Sequence, residues 1–547
     1  MSSTFPPDSP EPSGERARTR RRRQRRRRLA RTAITLAVVV VVLAGAGVIY
    51  VAYRNSQIQR VAVPHLAPQT PSKAATASHP SVPAGPINIL LVGDNCRNCL
   101  NGKQSKAFGT GAQVGGGRSD VTMILHLDAA THSVTIFSIP RDSWMPIPGT
   151  TNAIRVDDAL NHGPGTLVQT IEDDLGIPIN RFVELNFDTF QSVVQTLGGV
   201  DMYFPDPVRD YYSGLDVPAA GCYHLNGFQA LALVRARHLY YWVNGVRYYD
   251  GLGDISRIKR DHEFLKVLAS ELLHQGLLNP LKLNAVLGNV LPDLTVDSGF
   301  GISQMLGMAL TFGGLNPNKV PTATMPVYIQ NSSFIYQGAN YGDVVFPTEP
   351  FDLQTIHEML GLTPPAIQPG TTVSVLDGSG IAGQATTLAS QLGGLGYKVV
   401  GTGVAPVVSS PAQSIVYYAP GHEAQAEALL SHLTGLVVMG EAPLPAGQDL
   451  RVVTGSNLAV STAPAVTAAA PVLGTQKTHH TPSSTTTTAP RTATAPVTTP
   501  TTLGAANFPG NIVNVISPHE TLPQWDPRAC PSGMVAKPLT YNAHAVH

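Results

Sequence analysis

The chain is poor in charge. Only 13% of its 547 residues are Asp, Glu, Lys or Arg, about half the usual quarter. The formal net charge is +1. That balance excludes a uniformly basic nucleic-acid binder and an acidic, self-repelling chain. Cysteine is also scarce. Four in the whole chain exclude a small fold stapled by disulfides. What the chain has is length, enough for about three to five domains. It also has 45 Pro and 51 Gly, unevenly placed, which mark linkers.

The low average charge hides a split. Residues 1–31 hold eleven Arg against Asp8, Glu11 and Glu15. This segment is therefore +8, and the remainder of the chain is −7. Residues 32–53 follow with no charge and many Val, Leu, Ile and Ala. As a helix they reach roughly 33 Å, enough to cross a hydrocarbon core. The arginine flank predicts a cytoplasmic N-terminus at 1–31 and an extracytoplasmic remainder. Ala44-Gly45-Ala46 resembles a signal-peptidase site, but the apolar run continues through Tyr53. An uncleaved, single-pass signal anchor in the cell membrane is therefore expected. The arginine run sets topology or leans on anionic lipid. It lacks interleaved aromatics and any DNA-binding module, so no nucleic-acid partner is expected.

Residues 54–85 are rich in Pro, Ser, Ala and Thr and suggest a spacer. Apolar runs at 87–92, 121–127, 134–139, 182–187 and 200–204 predict strands. A hairpin turn is expected at 128–133. Helical periodicity occupies 165–175, 189–197 and 254–274, the last with Ile255, Ile258, Leu265, Leu268 and Leu272 on one stripe. Mixed strands and helices predict one large α/β domain over 86–335, an α/β/α layering around a mixed sheet. A linker is assigned to 336–370. Residues 371–458 predict a small α+β domain of order βαββαβ. The Thr/Ala/Pro-rich tail, 459–547, predicts disorder, with no convincing fold in its cysteine-containing end.

Three arginine-bearing stretches in the large domain could carry chemistry. Gly117-Arg118-Ser119-Asp120 precedes a strand, and Ser138-Ile139-Pro140-Arg141-Asp142 follows one. The third is Val234-Arg235-Ala236-Arg237-His238, with Asp254-Ile255-Ser256-Arg257-Ile258-Lys259-Arg260 beyond it. Strand ends are where α/β domains place ligand contacts. In an extended segment Arg235 and Arg237 would point to one side, and an anion between them would relieve their repulsion. A phosphate or pyrophosphate suits forked guanidinium donors. Asp120 beside phosphate suits a hard divalent cation. The structural alternative is internal salt bridging within Arg118–Asp120, Arg141–Asp142 and Asp254–Arg257.

These stretches, with Asn88-Ile89-Leu90-Leu91-Val92-Gly93, Leu197-Gly198-Gly199-Val200-Asp201 and the block 218–227 ending Cys222-Tyr223-His224-Leu225-Asn226-Gly227, stand in the order found in one family. Together they resemble the LytR–CpsA–Psr (LCP) family. Residues 371–458 are similar to its small LytR C-terminal domain. The resemblance implies a phosphotransferase of cell-wall assembly. It would move a glycan-1-phosphate from a polyprenyl-pyrophosphate carrier to peptidoglycan. By position, Arg118, Arg141, Arg235, Arg237 and Arg257 would grip the pyrophosphate. Asp120 would bind Mg²⁺ or Mn²⁺, and Asp120 and Asp142 are the candidate bases. An apolar cleft near the sheet would take the polyprenyl tail.

Two positions depart from the family pattern. Where relatives carry a second metal-site Asp, two residues before the arginine matching Arg97, this chain has Asn95, with Asp94 one residue earlier. Asn95 offers an oxygen without charge, and Asp94 substitutes only if the backbone shifts. Asp261 stands after Arg260 where a Gln is common, which adds negative charge beside the phosphate site. Both departures suggest an attenuated ligase. A polyprenyl-pyrophosphate hydrolase and a non-catalytic lipid- and wall-binding scaffold are the alternatives.

Two motifs are decoys. Gly378-Ser379-Gly380-Ile381-Ala382-Gly383 has dinucleotide-binding spacing, but no Asp or Glu occurs from Gln384 to His422, and the fingerprint needs one. Cys96 and Cys99 lack further zinc ligands nearby. Outside the membrane, disulfides are expected, with three pairings open. Of the histidines, only His238 stands beside the arginines.

Overall fold

The computed structural model describes residues 49–69, 85–94, 118–150, 153–273, 285, 288–330, 333–406, 411–461, 513–515 and 525–539. Most of the expected membrane span and Asn95, Cys96 and Cys99 lie outside the described residues. Among those described, no helix is long and apolar enough to cross a membrane. The chain divides into two units, residues 1–57 and 58–547, and the second carries both the large and the small domain.

Its elements follow the hydrophobic pattern. The large domain begins with β1 (Gln59–Val61), β2 (Ile87–Asp94), β3 (Ser119–Asp128) and β4 (Ser133–Ile139). The hairpin between β3 and β4 is pinned by Asp128, whose carboxylate accepts from the Ala130 amide at 2.8 Å and the Thr131 hydroxyl at 2.7 Å. Next come α1 (Pro164–Leu175), β5 (Arg181–Leu185) and α2 (Phe187–Leu197). Asn186 caps α2 by accepting the Thr189 amide at 2.9 Å. This cap ends the strand expected over 182–187 two residues early and gives Phe187 to the helix.

A second group follows: β6 (Val200–Phe204), β7 (Val208–Asp210), β8 (Leu215–Val217), β9 (Gly221–Leu225), α3 (Gly227–Val234), β10 (Tyr240–Val243), β11 (Val246–Tyr249) and α4 (Asp254–Glu271). Asn226 and Gln229 form a capping box at the start of α3. Thus the Leu225-Asn226-Gly227 part of the sequence block has a local structural cause. Finally β12 (Thr295–Asp297) and β13 (Thr322–Thr324) return to the main sheet.

That sheet has seven strands in the order β1-β12-β5-β2-β3-β4-β13. It is mixed: β2 is antiparallel to β3 and parallel to β5. One face packs Leu90, Val92, Ile124, Phe137 and Ile139 against Leu167, Val168 and Ile171 of α1. On the other, His262 of α4 meets the Ser138 hydroxyl at 2.7 Å. Helices on both faces give the expected three layers. β1 lies in the segment expected to be a spacer. It pairs with β12, while Val61, Val63 and Leu66 pack on the core.

The segment 336–370, assigned to a linker, carries strand Val345–Pro347 and helix Phe351–Leu360. Val345, Ile356 and Leu360 enter the same core as the main sheet. Its helical spacing of Leu353, Ile356 and Leu360 is masked in the sequence by flanking prolines.

The small domain has five strands rather than four in its main sheet. Lys398–Val404, Thr372–Asp377, Leu450–Thr454, Ser414–Tyr418 and Val437–Glu441 lie side by side in that order. The added strand, Val437–Glu441, is a buried run with no alternation to announce it. Helices Gln384–Gly394 and Glu423–Leu430 cover the sheet and share its core.

The end of the chain is embedded, a correction to the expectation of no fold there. Arg528–Ala529 pairs with β6 and Lys537–Pro538 with β9. Cys530 is bonded to Cys222, 308 residues before it. Trp525 stacks on Tyr241 at 4.3 Å between ring centroids, and Leu539 enters the second core cluster. The partner surfaces are so distant in sequence that no local pattern in the tail reports them.

Candidate active site

The site forms where β2, β3 and β4 end together. Register along β2 and β3 is regular to Gly93 and Val121, then shifts so that Asp94 pairs with Ser119. The shift is a β-bulge, with Ser119 and Asp120 together opposite Asp94. The register at the end of β2 is thus irregular where the sequence departs from the family pattern. Gly93 has no room for a side chain, since a Cβ there would lie 2.9 Å from that of Val121. Arg141 lies in the turn just after β4, and its guanidinium donates to the Asp120 carboxylate.

Further arginines converge on the same place. Arg257, from the first turns of α4, donates to the backbone carbonyl of Asp120 and meets Asp254 at 3.0 Å. Arg237 donates to Asp142 at 3.2 Å and faces Asp254 at 3.3 Å. Asp142 also faces Arg141 at 3.6 Å. Arg235 lies over the Phe187 ring at 4.7 Å. It is the C-cap of α3, in a helical conformation. The extended Arg235–Arg237 segment expected from the sequence is therefore absent, and the helix end brings the two together instead. Arg118 precedes β3, and its charge acts on Asp157. Asp120 takes Arg141 as its partner, not the Arg118 of the structural alternative.

The electrostatics favour an added anion. Burial alone would raise the Asp120 carboxyl, but Arg141, then Arg257, Arg235 and Arg237, outweigh it and hold it below its usual value. Arg237 is pulled below its ordinary value by burial, and its neighbours Arg141 and Arg257 add to this. Asp254 and Asp142 oppose that shift without cancelling it. A guanidinium whose charge is disfavoured by burial gains by accepting a phosphate.

Two participants carried no motif signal, Arg155 and Asp157, and nothing in the sequence showed that Asp254 is shared by two arginines. Arg155 faces Asp142 at 3.4 Å and Asp157 at 3.6 Å. Burial pushes Asp157 up to about 6. Asp254 was visible in the sequence only as a salt-bridge partner for Arg257 at the start of the periodic helix. Asp261 is fully buried, and burial pushes it up to about 8 against Arg257 and Arg260. Burial thus disfavours the extra negative charge expected there. A protonated carboxyl donates a hydrogen bond, as a glutamine amide would.

Asp94 and Asp120 offer hard oxygens on adjacent strand ends. Among the described residues, no group of three or more His, Cys, Asp or Glu forms a ready metal cage. Mg²⁺ is commonly held by one or two carboxylates together with substrate phosphate and water, and in this structure Arg141 occupies the Asp120 carboxylate.

Other sequence candidates resolve as structure. His126 meets Asn88 at 2.7 Å and His224 meets Asp201 at 2.7 Å. The glycine-rich turn after Thr372–Asp377 is occupied by Asp377, whose carboxylate accepts from the Ser379 and Gly380 amides at 2.9 and 3.1 Å. The disulfide pairing left open includes Cys222–Cys530.

A mixed α/β domain with an arginine cluster at strand ends, followed by a small α+β domain, defines a two-domain α/β protein with an anion-type site. The chain belongs to the LytR–CpsA–Psr family, whose model matches residues 50–345. Residues 370–457 match the model described as LytR cell envelope-related transcriptional attenuator.

Among relatives, the probable cell wall biosynthesis protein LcpB of Corynebacterium glutamicum is 33% identical over 244 residues, 44% of this chain and 56% of its own. The chain therefore spans a little over half of that relative. The polyisoprenyl-teichoic acid–peptidoglycan teichoic acid transferase TagV of Bacillus subtilis is 27% identical over 262 residues, 45% of this chain and 61% of its own. Among solved structures, a LytR-Csp2A-Psr enzyme from Actinomyces oris is 23% identical. It covers 56% of this chain and 97% of its own, with a TM-score of 0.42.

Proposed function

We propose that this chain is a membrane-anchored phosphotransferase. It transfers a glycan-1-phosphate from a polyprenyl-pyrophosphate carrier to peptidoglycan, releasing polyprenyl phosphate. The observation that carries this reading is the convergence of Arg141, Arg235, Arg237 and Arg257 on the bulge at Asp120, with the Arg237 cation disfavoured. Names of relatives that act on teichoic acid and peptidoglycan support it.

Phosphoryl transfer asks mainly for positioning and charge neutralisation. An acceptor hydroxyl of peptidoglycan attacks the sugar-linked phosphorus. The new P–O bond forms as the bond to the bridging oxygen breaks, and the electron pair leaves on the polyprenyl phosphate. The arginines hold both phosphates and spread the developing charge. Asp120, kept ionised by four guanidiniums, is a poor base. Asp142, raised by burial and by Asp254 against Arg141, suits acceptance of the hydroxyl proton. Asp120 and Asp94 would hold Mg²⁺ or Mn²⁺, which would add positive charge beside the phosphates.

The sheet face away from the main core carries Leu91, Val121, Leu125, Val183 and Leu185, all only half-buried. This apolar row suits a polyprenyl tail. The anchor at 32–53 would keep the site outside the cell near its lipid donor.

The test uses the full chain in lipid vesicles with a polyprenyl-pyrophosphate glycan, Mg²⁺ and peptidoglycan. Glycan–peptidoglycan product that is lost in Arg141→Ala and Asp120→Ala is expected. Free glycan phosphate without acceptor product would indicate a hydrolase. Donor binding without turnover would indicate a scaffold and overturn the proposal.

A further inference from the structure

We propose that the outer face of the small sheet formed by β7, β8, β10 and β11 binds the acceptor glycan strand. This inference rests on the transferase reading for the identity of the glycan.

The face is built by a tight hairpin. Asn244 and Gly245, both at positive φ, turn β10 into β11. Pairing sets Tyr240 opposite Tyr249 and Trp242 opposite Arg247, with Tyr241 opposite Tyr248 between them. Alternation then sends the first two pairs to one side and the third to the other. The inner side is filled: Tyr241 stacks on Tyr248 and on Trp525, and it belongs to the core cluster.

The outer side is open and aromatic. Tyr249 is 46% exposed, Tyr211 45% and Tyr212 82%. Tyr240 bridges Tyr249 at 5.1 Å and Tyr211 at 6.1 Å between ring centroids. Arg247 lies over the Tyr240 ring at 5.1 Å. Arg209 lies over Tyr211 and is fixed by bonds of 2.8–3.0 Å to Asp216.

Large exposed aromatic patches mark binding surfaces. The chemistry here selects a saccharide. A pyranose ring presents a flat face of C–H groups with slight positive charge, which suits the negative face of a tyrosine ring. Phenol and guanidinium groups at the ring edges donate to sugar hydroxyls. Tyrosine offers this area at small entropic cost because it has few rotatable bonds. The Arg247 cation also complements a glycan that bears carboxylates, as peptidoglycan does.

The position selects the acceptor. Tyr212 packs on His238 at 4.7 Å, and the His238 ring nitrogen Nδ1 meets the Tyr249 hydroxyl at 3.2 Å. His238 directly follows Arg237 of the phosphate cluster. A strand lying on the tyrosines therefore continues toward the bound phosphate, where its hydroxyl must attack.

The test compares the full chain with the double variant Tyr212→Ala/Tyr249→Ala and its Tyr→Phe counterpart. Sedimentation with purified peptidoglycan sacculi measures binding, and initial rates give KM for acceptor and donor separately. The Ala variant should bind sacculi about tenfold more weakly and raise the acceptor KM about tenfold, with donor KM unchanged. The Phe variant should retain most binding, which also shows that the hairpin folds. Unchanged sacculus binding in the Ala variant, or no sacculus binding by the unaltered chain, would overturn the proposal. A raised donor KM instead would assign the face to the donor glycan and overturn it equally. Sacculus binding that depends on the tyrosines, in a chain that shows no turnover, would defeat the transferase reading while leaving this surface intact.

Discussion

Arg260 and Asp526 stand 266 residues apart in the chain, and their side chains meet at 3.4 Å. Both are wholly buried. Arg260 also bonds Asp250 at 3.0 Å and the Ala236 carbonyl at 2.6 Å. Three residues before it on the same helix is Arg257 of the active site. The segment around Asp526 therefore buttresses the helix that carries Arg257 of the arginine cluster.

Asp526→Ala should leave Arg260 with Asp250 as its remaining acid. Removing one member of a buried ion pair costs about 3 kcal/mol. Denaturant unfolding should show a loss of that order. Asp526→Asn, which keeps an acceptor oxygen, should lose less. An unchanged midpoint in Asp526→Ala would show that the tail docks without support from this pair.

Arg141→Lys keeps the charge but not the fork that reaches both Asp120 and Asp142. A point charge cannot replace two oriented donors. Transfer rate should fall about 100-fold, the scale for removing one oriented transition-state donor. Melting temperature should change little by comparison. Rate assays paired with thermal melts check both parts.

Carboxyl groups crowd the contact between the two domains. Burial, first among the causes, pushes Glu172 up to about 7, Asp173 to about 6 and Glu423 to about 7. Burial also raises Asp174 well above its usual value. Glu441 and Glu427 face them, with Tyr417 and Tyr418 between and His357 3.6 Å from Glu427.

These groups hold their protons more tightly when docked. Their contribution is full below about pH 4 and is lost as pH rises through about 6 to 7. Thermal stability should therefore decline between pH 5 and pH 8. The Glu172→Gln/Glu423→Gln variant should flatten that decline. An equally steep slope in the variant would rule out these carboxyls as its source.

Gly199 has φ +102°, and a Cβ there would lie 2.3 Å from the His224 ring and 2.8 Å from the Leu225 carbonyl. Gly198, at φ +93°, has nothing within 4 Å of such an atom. Gly199→Ala adds a clash to backbone strain and should destabilise by about 3 kcal/mol or more. Gly198→Ala should cost about 1 kcal/mol from strain alone. Chemical denaturation of both variants separates the two effects.

The sequence by itself determined the strands and helices whose apolar spacing is local. The continuous run at Ile87–Asp94, the alternation at Val200–Phe204 and the stripe along Asp254–Glu271 needed no partner to be legible. It also put Arg118, Arg141, Arg235, Arg237 and Arg257 in blocks at strand and helix ends, of which Arg141, Arg235, Arg237 and Arg257 act together on Asp120.

Tertiary structure alone decided who meets whom. The bulge between Gly93 and Asp94 depends on pairing with another strand, so the sequence could not show it. Arg155 and Asp157 joined the cluster only when the chain folded back on Arg141. Asp261 changed its meaning because burial raises its carboxyl against the pull of Arg257 and Arg260. The final segment, Trp525 to Leu539, gained structure from a surface formed hundreds of residues earlier. Local periodicity records what a residue does to its neighbours in sequence. Cross-strand register, burial and long-range charge pairing belong to contacts that the linear pattern does not contain.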